Sequence, residues 1–261
     1  MEHKMIVTKT NIIKQLNKKP YFYLIKNFEK KPNLLKEKIL KFSKNFKKIR
    51  KQNKKGSIIL EIKPDTAKIK SFKKKNKNIK TVLRYHQTNL GGSIHSDGPQ
   101  LNTPPKYVIM ACEHNSNKGG DSILVDTQKI FEYLKKNKKK ILKILTENFF
   151  FERRGFDYKN FNVFKKPIFL KKGKKFIFRY LRDYIEKGFN LKNAKISKNQ
   201  INAMNYLDSL LAKKEFSKIF KLGSGDLLIL NNHILAHGRS TFQIIKKRNG
   251  NSRKLYRIWL H

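Results

Sequence analysis

The sequence predicts a β-rich α+β fold, a double-stranded β-helix (jelly roll) with helices packed outside it. Three observations carry the prediction. Short apolar runs of strand length surround the two histidine-bearing segments, Gly91 to Gln100 and Gly225 to Phe242. Stripes with helical period fall outside those segments. A length of 261 residues suits one large β-rich domain. The expected organisation is therefore a single domain over 1–261, with the lysine-rich N-terminal segment, residues 1–80, packing on the core.

The elements follow in order. Residues 21–25 read as a short strand. Residues 33–46 carry Leu34, Leu35, Ile39, Leu40 and Phe42 at helical spacing behind Pro32. Residues 57–62 are a second strand. Residues 107–112 and 123–126 are strands on either side of a turn containing Gly119-Gly120. Residues 127–145 predict one amphipathic helix with Ile130, Phe131, Leu134, Ile141, Leu142 and Ile144 on its apolar side, and its lysine run as the solvated face. Residues 149–185 alternate apolar and basic side chains around Lys171-Lys172-Gly173-Lys174-Lys175, a hairpin pattern. Residues 197–213 predict a helix capped by Ser197. Gly225 to Leu230 opens like a buried strand after a turn, and the chain closes on a strand that reaches Leu260.

Chemistry concentrates at the histidine segments. In an extended stretch, residues i and i+2 project to the same side, so His95 and Asp97 can reach one ion. A distant histidine completes two imidazoles and one carboxylate, the facial set of non-haem iron(II) oxygenases, which leaves coordination positions open for substrates. His237 and His233 both satisfy the distal position by location. On the last strand Arg253, Leu255, Arg257 and Trp259 share a face. Planar guanidiniums there can grip an organic acid bidentately. Trp259 reads as a core residue.

These motifs resemble the taurine dioxygenase (TauD/TfdA) family of iron(II)/2-oxoglutarate oxygenases, within the clavaminate-synthase-like superfamily. The matching blocks run over about 83–125 and 222–260, with a further similar segment at 178–185. The resemblance implies a closed jelly-roll barrel with the triad at its mouth, and His95, Asp97 and His237 as ligands of Fe(2+). It implies that Ser122, where many members carry threonine, touches the cosubstrate 2-oxoglutarate, and that Arg253 holds its distal carboxylate. It places Arg257 at the acidic group of the substrate. The separation of His237 and Arg253 is 16 residues (253 − 237), longer than the family pattern. Arg248, at 11 (248 − 237), is the rival, but it sits beside the Asn249-Gly250 turn signal.

The implied reaction takes O2 and 2-oxoglutarate, releases succinate and CO2, and hydroxylates an unactivated C–H bond of a small acidic or amino-acid-like molecule. The retained Asp97 favours hydroxylation over halogenation, because related halogenases vacate the carboxylate position. Arg257, Asn89 and Arg182 are the expected substrate residues, with Arg84, Arg179 and Tyr180 as further pocket candidates. His86 reads either as pocket-lining or as structural. His114 is expected in an exposed loop, and His3 and His261 at disordered ends.

The formal charge is +44, from 62 basic and 18 acidic residues. The lysines are dispersed and interleaved with Asn, Ile and Phe, as coding bias would scatter them. Sequence-blind, salt-sensitive attraction to polyanions follows. A dedicated nucleic-acid protein would concentrate charge beside stacking aromatics, and a non-catalytic jelly-roll binding module would not need the triad. The expected partner is a small molecule, with no specific nucleic acid and no membrane; a homo-oligomer is compatible with the sequence. One cysteine, Cys112, excludes an internal disulfide and reads as a buried strand residue in a cytoplasmic protein. No apolar run approaches the ~18 residues of a membrane span, and the first residues lack the apolar core of a leader.

Overall fold

Two antiparallel sheets position the histidine segments in the computed structural model, which describes residues 9–46, 48–53, 55–67, 69, 87–153, 163–244 and 253–261. The six-stranded sheet runs β1 (Phe22–Ile25), β12 (Leu227–Asn231), β5 (Tyr107–His114) and β14 (Lys254–Leu260). The short strands β2 (Ile49–Arg50) and β3 (Ile59–Ile62) both pair with β14. The four-stranded sheet runs β11 (Ser217–Phe220), β6 (Ser122–Asp126), β13 (Leu235–Arg239) and β4 (Gly92–His95).

The central strands are apolar on both faces because both faces are covered. Along β5, β12 and β14, Ile109, Ala111, Leu227, Ile229, Ile258 and Leu260 face one cluster. That cluster also holds Ile12 and Leu16 of helix α1 (Lys9–Leu16) and Leu35 and Ile39 of α2 (Pro32–Ser43). The alternate residues Val108, Cys112, Leu228, Leu230, Leu255 and Trp259 pack with Leu124 and Leu235 of the four-stranded sheet. The period of two thus divides each strand between an outer helical layer and an inner layer between the sheets. Each of the isoleucine, leucine and valine side chains, fully buried, contributes about 1.5–3 kcal/mol.

A third cluster lies on the other side of the four-stranded sheet, where Val125 and Ala236 meet Phe149, Phe151, Phe178 and the helices. Here the expected single helix over 127–145 is two: α3 (Thr127–Asn137), capped by the Asp126 carboxylate on Lys129 N–H, and α4 (Lys139–Leu145). The break falls at Lys138, whose backbone leaves the helical region (φ −144°, ψ 55°). The apolar stripe ends at Leu134 and resumes at Ile141, so the positions between offer nothing to bury.

The lysine-rich hairpin forms as β9 (Phe169–Lys172) and β10 (Lys175–Phe178), with Gly173-Lys174 at its tip. A second antiparallel pair precedes it, β7 (Asn148–Glu152) with β8 (Val163–Pro167). The alternating pattern read up to residue 185 is overturned at its end, where Arg182 begins helix α5 (Arg182–Leu191). Ser197 caps α6 (Lys198–Leu211) in a reciprocal capping box with Gln200.

The N-terminal segment does more than pack on the core, since it supplies three strands to the larger sheet. His114 is not in a loop; it ends β5, and its Nε2 lies 3.7 Å from Glu113. His261 is tied down, donating its backbone N–H to Lys48 and placing its ring nitrogen 2.7 Å from Arg50. Cys112 is buried on β5, where burial pushes its thiol up to about 12. His3, Arg84, His86, Arg248 and the Asn249-Gly250 turn lie outside the described residues. No described helix is long and apolar enough to cross a membrane.

Candidate metal centre

Register brings the two histidine segments together. In the β4–β13 ladder, His95 stands opposite His237. On β13, Ala236 faces the helical cluster, so His237 faces inward between the sheets with Leu235. Just beyond β4 the chain turns at Gly98, whose positive φ of 62° and tight approach to Leu101 and Pro105 exclude a side chain. Two buried polar residues hold this turn. Ser96 donates its backbone N–H to Tyr180 O, and its hydroxyl accepts from Tyr180 N–H. The Asn232 carboxamide accepts from Asp97 N–H at 2.7 Å and donates to Asp97 O and Pro105 O.

The result is a buried cluster in which one nitrogen or oxygen from each of His95, Asp97 and His237 lies within 4.8 Å of the others. His95 Nε2 is 3.8 Å from Asp97 Oδ1, and His237 Nε2 is 3.8 Å from Asp97 Oδ2. His95 Nδ1 lies 2.9 Å from Ser93 O, which can only accept. The ring proton therefore sits on Nδ1 and leaves the Nε2 lone pair facing the cluster. Both ring nitrogens of His237 are buried with no hydrogen-bond partner. An orphaned imidazole in a polar, enclosed spot fits a metal ligand.

The electrostatics agree with that donor set. Burial pushes the His237 imidazole down to about 3 and the His95 imidazole below its ordinary range, so both are neutral at pH 7. Burial alone would raise the Asp97 carboxyl, but the Arg257 guanidinium, the two imidazoles and the Trp259 N–H hold it below its usual value. Two neutral nitrogens and one carboxylate suit a divalent first-row ion and leave part of its coordination sphere open.

A cavity of about 1080 Å³ opens onto the cluster and is lined by His95, Asp97, Ser122, Arg182, Arg253 and Arg257, among others. Ser122 begins β6 and is buried. Arg253 is buried just before β14; its Nε donates to Asn115 at 3.2 Å and its guanidinium lies 5.3 Å from the Phe242 ring. Arg257 donates from Nη1 to Asp97 Oδ1 at 2.6 Å and from Nε to Gln52 Oε1 at 2.9 Å. Arg182 lies at the start of α5, bonded to Glu186, Asn205 and Asp208. Tyr180 is buried and donates its hydroxyl to Asp208 at 2.6 Å.

Asn89 lines a second, smaller pocket and exchanges hydrogen bonds with the Phe242 backbone. Arg179 is buried away from the large cavity, donating to Asn102 O. His233 points elsewhere too, with Nε2 3.2 Å from Pro104 O.

Four residues at or behind the cluster escaped sequence reasoning. Gln52 and Asn232 sit in ordinary polar runs. Arg239 is buried and donates to the carbonyls of Thr88 and Leu90, fixing the segment that leads into β4. Trp259 is in the core, as its composition suggests, yet its indole N–H also reaches Asp97 Oδ2 at 2.9 Å. Its place on the same strand face as Arg257 was the one available signal.

A buried two-histidine, one-carboxylate cluster that could hold a metal ion thus lies between antiparallel sheets of a mixed α/β architecture. The chain belongs to the taurine catabolism dioxygenase TauD, TfdA family, which matches it over residues 9–259. It is 28% identical over 155 residues to gamma-butyrobetaine dioxygenase of Homo sapiens, an alignment covering 58% of this chain and 40% of that protein. The Pongo abelii protein of the same name matches equally. An asparagine oxygenase solved with Fe(II), 2S,3S-3-hydroxyasparagine and succinate superposes with a TM-score of 0.59 at 13% identity, over 81% of this chain and 59% of that one. The non-heme iron oxygenase OrfP, solved with Fe and alpha-ketoglutaric acid, gives a TM-score of 0.59 at 13% identity, over 86% of this chain and 63% of that one. Both likenesses are of fold, and the chain spans less than two thirds of each of these relatives' own length.

Proposed function

We propose that the protein is an iron(II)- and 2-oxoglutarate-dependent dioxygenase that hydroxylates an unactivated C–H bond of a small amino-acid-like molecule. The observation that carries this reading is the His237 imidazole, buried and unbonded, beside His95 and Asp97 in a cavity that also holds the buried Arg253. The two sheets are read as the faces of a double-stranded β-helix within one domain over 1–261.

His95, Asp97 and His237 would hold Fe(2+). Arg253 would neutralise the far carboxylate of 2-oxoglutarate, with the Ser122 hydroxyl as a further donor. When bound, iron with 2-oxoglutarate and O2 supplies the oxidising power, and succinate and CO2 leave. The protein's own role is positioning and exclusion of water. Met110, Leu124, Leu228 and Leu255 give the cavity an apolar wall behind the cluster. Arg253 lies against Phe242 with little solvent access, so its attraction for a carboxylate is weakly screened.

The cavity also carries both signs of charge toward α5, with Arg182 and Lys187 beside Asp183, Glu186 and Asp208. That mixture supports a zwitterion over a simple dianion. The relatives' names point the same way, toward betaine and amino-acid substrates. Arg182 is the substrate residue this arrangement favours, while Asn89 supports the cavity through the Phe242 backbone.

The test is an anaerobic titration with iron(II) and 2-oxoglutarate, followed by a screen of amino acids and betaines for succinate formation. Saturable binding of both and substrate-stimulated succinate are expected. A protein that binds neither would sink the proposal.

A further inference from the structure

We propose that Gln52, Arg257 and Trp259 form a clamp that fixes the Asp97 carboxylate, making Gln52 a positioning residue for the metal centre. The inference rests on the metal reading of His95, Asp97 and His237.

The Asp97 side chain is 4% exposed, and each of its oxygens receives one donor. Arg257 Nη1 lies 2.6 Å from Oδ1, and Trp259 Nε1 lies 2.9 Å from Oδ2. A carboxylate oxygen has two lone-pair directions, so one on each oxygen remains for a metal. Both donors come from one face of β14. Their side chains also support each other, the Arg257 guanidinium lying 5.0 Å from the Trp259 ring centroid.

An arginine side chain is long, and a single contact would leave it free to swing. Gln52 removes that freedom. Its Oε1 accepts from Arg257 Nε at 2.9 Å, and its Nε2 donates to the backbone oxygens of Arg257 at 2.7 Å and Ile58 at 3.0 Å. One carboxamide thus grips both the side chain and the main chain of the same residue. Gln52 is itself buried, and its backbone N–H donates to Ser57 O at 2.8 Å. The N-terminal segment of the chain is thereby wired to the proposed metal ligand in the turn beyond β4.

The geometry commits Arg257 to the metal centre. A guanidinium that holds a ligand carboxylate from one side and a buried glutamine from the other is a support for that ligand. Partners of metal ligands of this kind typically govern metal affinity by roughly 10–100-fold.

The experiment is calorimetric titration of the full-length protein with Co(II) under anaerobic conditions, with the visible Co(II) spectrum as a second readout. Gln52→Met and Trp259→Phe should each weaken Co(II) binding by roughly 10–100-fold and alter the spectrum. Far-UV circular dichroism checks folding. If Gln52→Met does not fold, Trp259→Phe decides the matter, because it keeps an aromatic ring under Arg257 and removes the indole donor, with circular dichroism and Tm reporting any cost of the lost volume. Unchanged affinity and spectrum in a folded Gln52→Met or in Trp259→Phe would overturn the clamp while leaving the metal site standing. Absence of Co(II) binding by wild type would sink the metal reading and the clamp with it.

Discussion

His95 and His237 face each other across the β4–β13 ladder, with ring centroids 4.7 Å apart and planes inclined by 47°. Residues separated by more than half the chain are therefore set by one backbone register. A slip of one residue would turn His237 toward the aromatic cluster and bring Ala236 or Gly238 inward.

Replacing His95, Asp97 or His237 by alanine is expected to abolish metal-dependent 2-oxoglutarate turnover while leaving the fold intact. Metal titration and succinate assays measure this directly. His233→Ala is the informative control, since its ring is engaged with Pro104 O. It should retain metal binding, and loss of metal there with retention in His237→Ala would reverse the assignment of the distal ligand.

Arg253→Ala should raise the 2-oxoglutarate requirement by two or more orders of magnitude, as removing one partner of a buried charge pair costs on the order of 3–5 kcal/mol. Arg248→Ala, beside an Asn-Gly turn signal, should change it little. The apparent KM for 2-oxoglutarate in the two variants decides between them, and a large defect in Arg248→Ala alone would hand the role to the shorter spacing.

Gly188→Ala pits two magnitudes against each other. In an exposed helix the change would stabilise by about 1 kcal/mol. In α5, however, a Cβ at Gly188 would meet the Phe150 carbonyl at 2.5 Å and Glu152 N at 2.9 Å, backbone atoms of β7 that cannot rotate away. Overpacking typically costs 1–3 kcal/mol, so a lower Tm is expected. A raised Tm would show that α5 can shift off β7 at little cost.

Stability should depend on pH through His233. Burial pushes its imidazole down to about 4, against an ordinary value of 6.5. The unfolded chain takes up the proton first as pH falls, so the contribution is full above about pH 6.5 and is lost as pH drops through about 4. The difference corresponds to about 3 kcal/mol. Urea melts of wild type and His233→Gln at pH 7 and pH 4 test it. Wild type should lose more stability than the variant over that interval, and parallel loss would contradict the assignment.

Strands β1, β3, β5, β6, β12 and β14 and the three clustered side chains were legible because each depends on short-range pattern, whereas β2 and β11 were not read. His95 and Asp97 need only an extended segment, and β5, β12 and β14 announce themselves as apolar runs. The helix over 127–145 was misread as unbroken because a stripe can resume in phase after an interruption at Lys138. Helix α5 was missed because its opening residues continue the alternation of the preceding hairpin. Gln52 could not be found at all. Its importance comes from lying beside Arg257, 205 positions away, and nothing local to a lysine-rich stretch marks that contact.

Trp259 is the chain's one tryptophan, and its indole hydrogen-bonds the Asp97 carboxylate of the proposed metal site. Excitation at the red edge of the indole band, where the ten tyrosines absorb little, would thus address a single fluorophore bonded to the carboxylate proposed to hold the ion. Arrival of a paramagnetic metal should quench its emission, and withdrawal by a chelator should restore it. On that reading the protein would carry its own optical gauge of occupancy, readable without label, substrate or turnover.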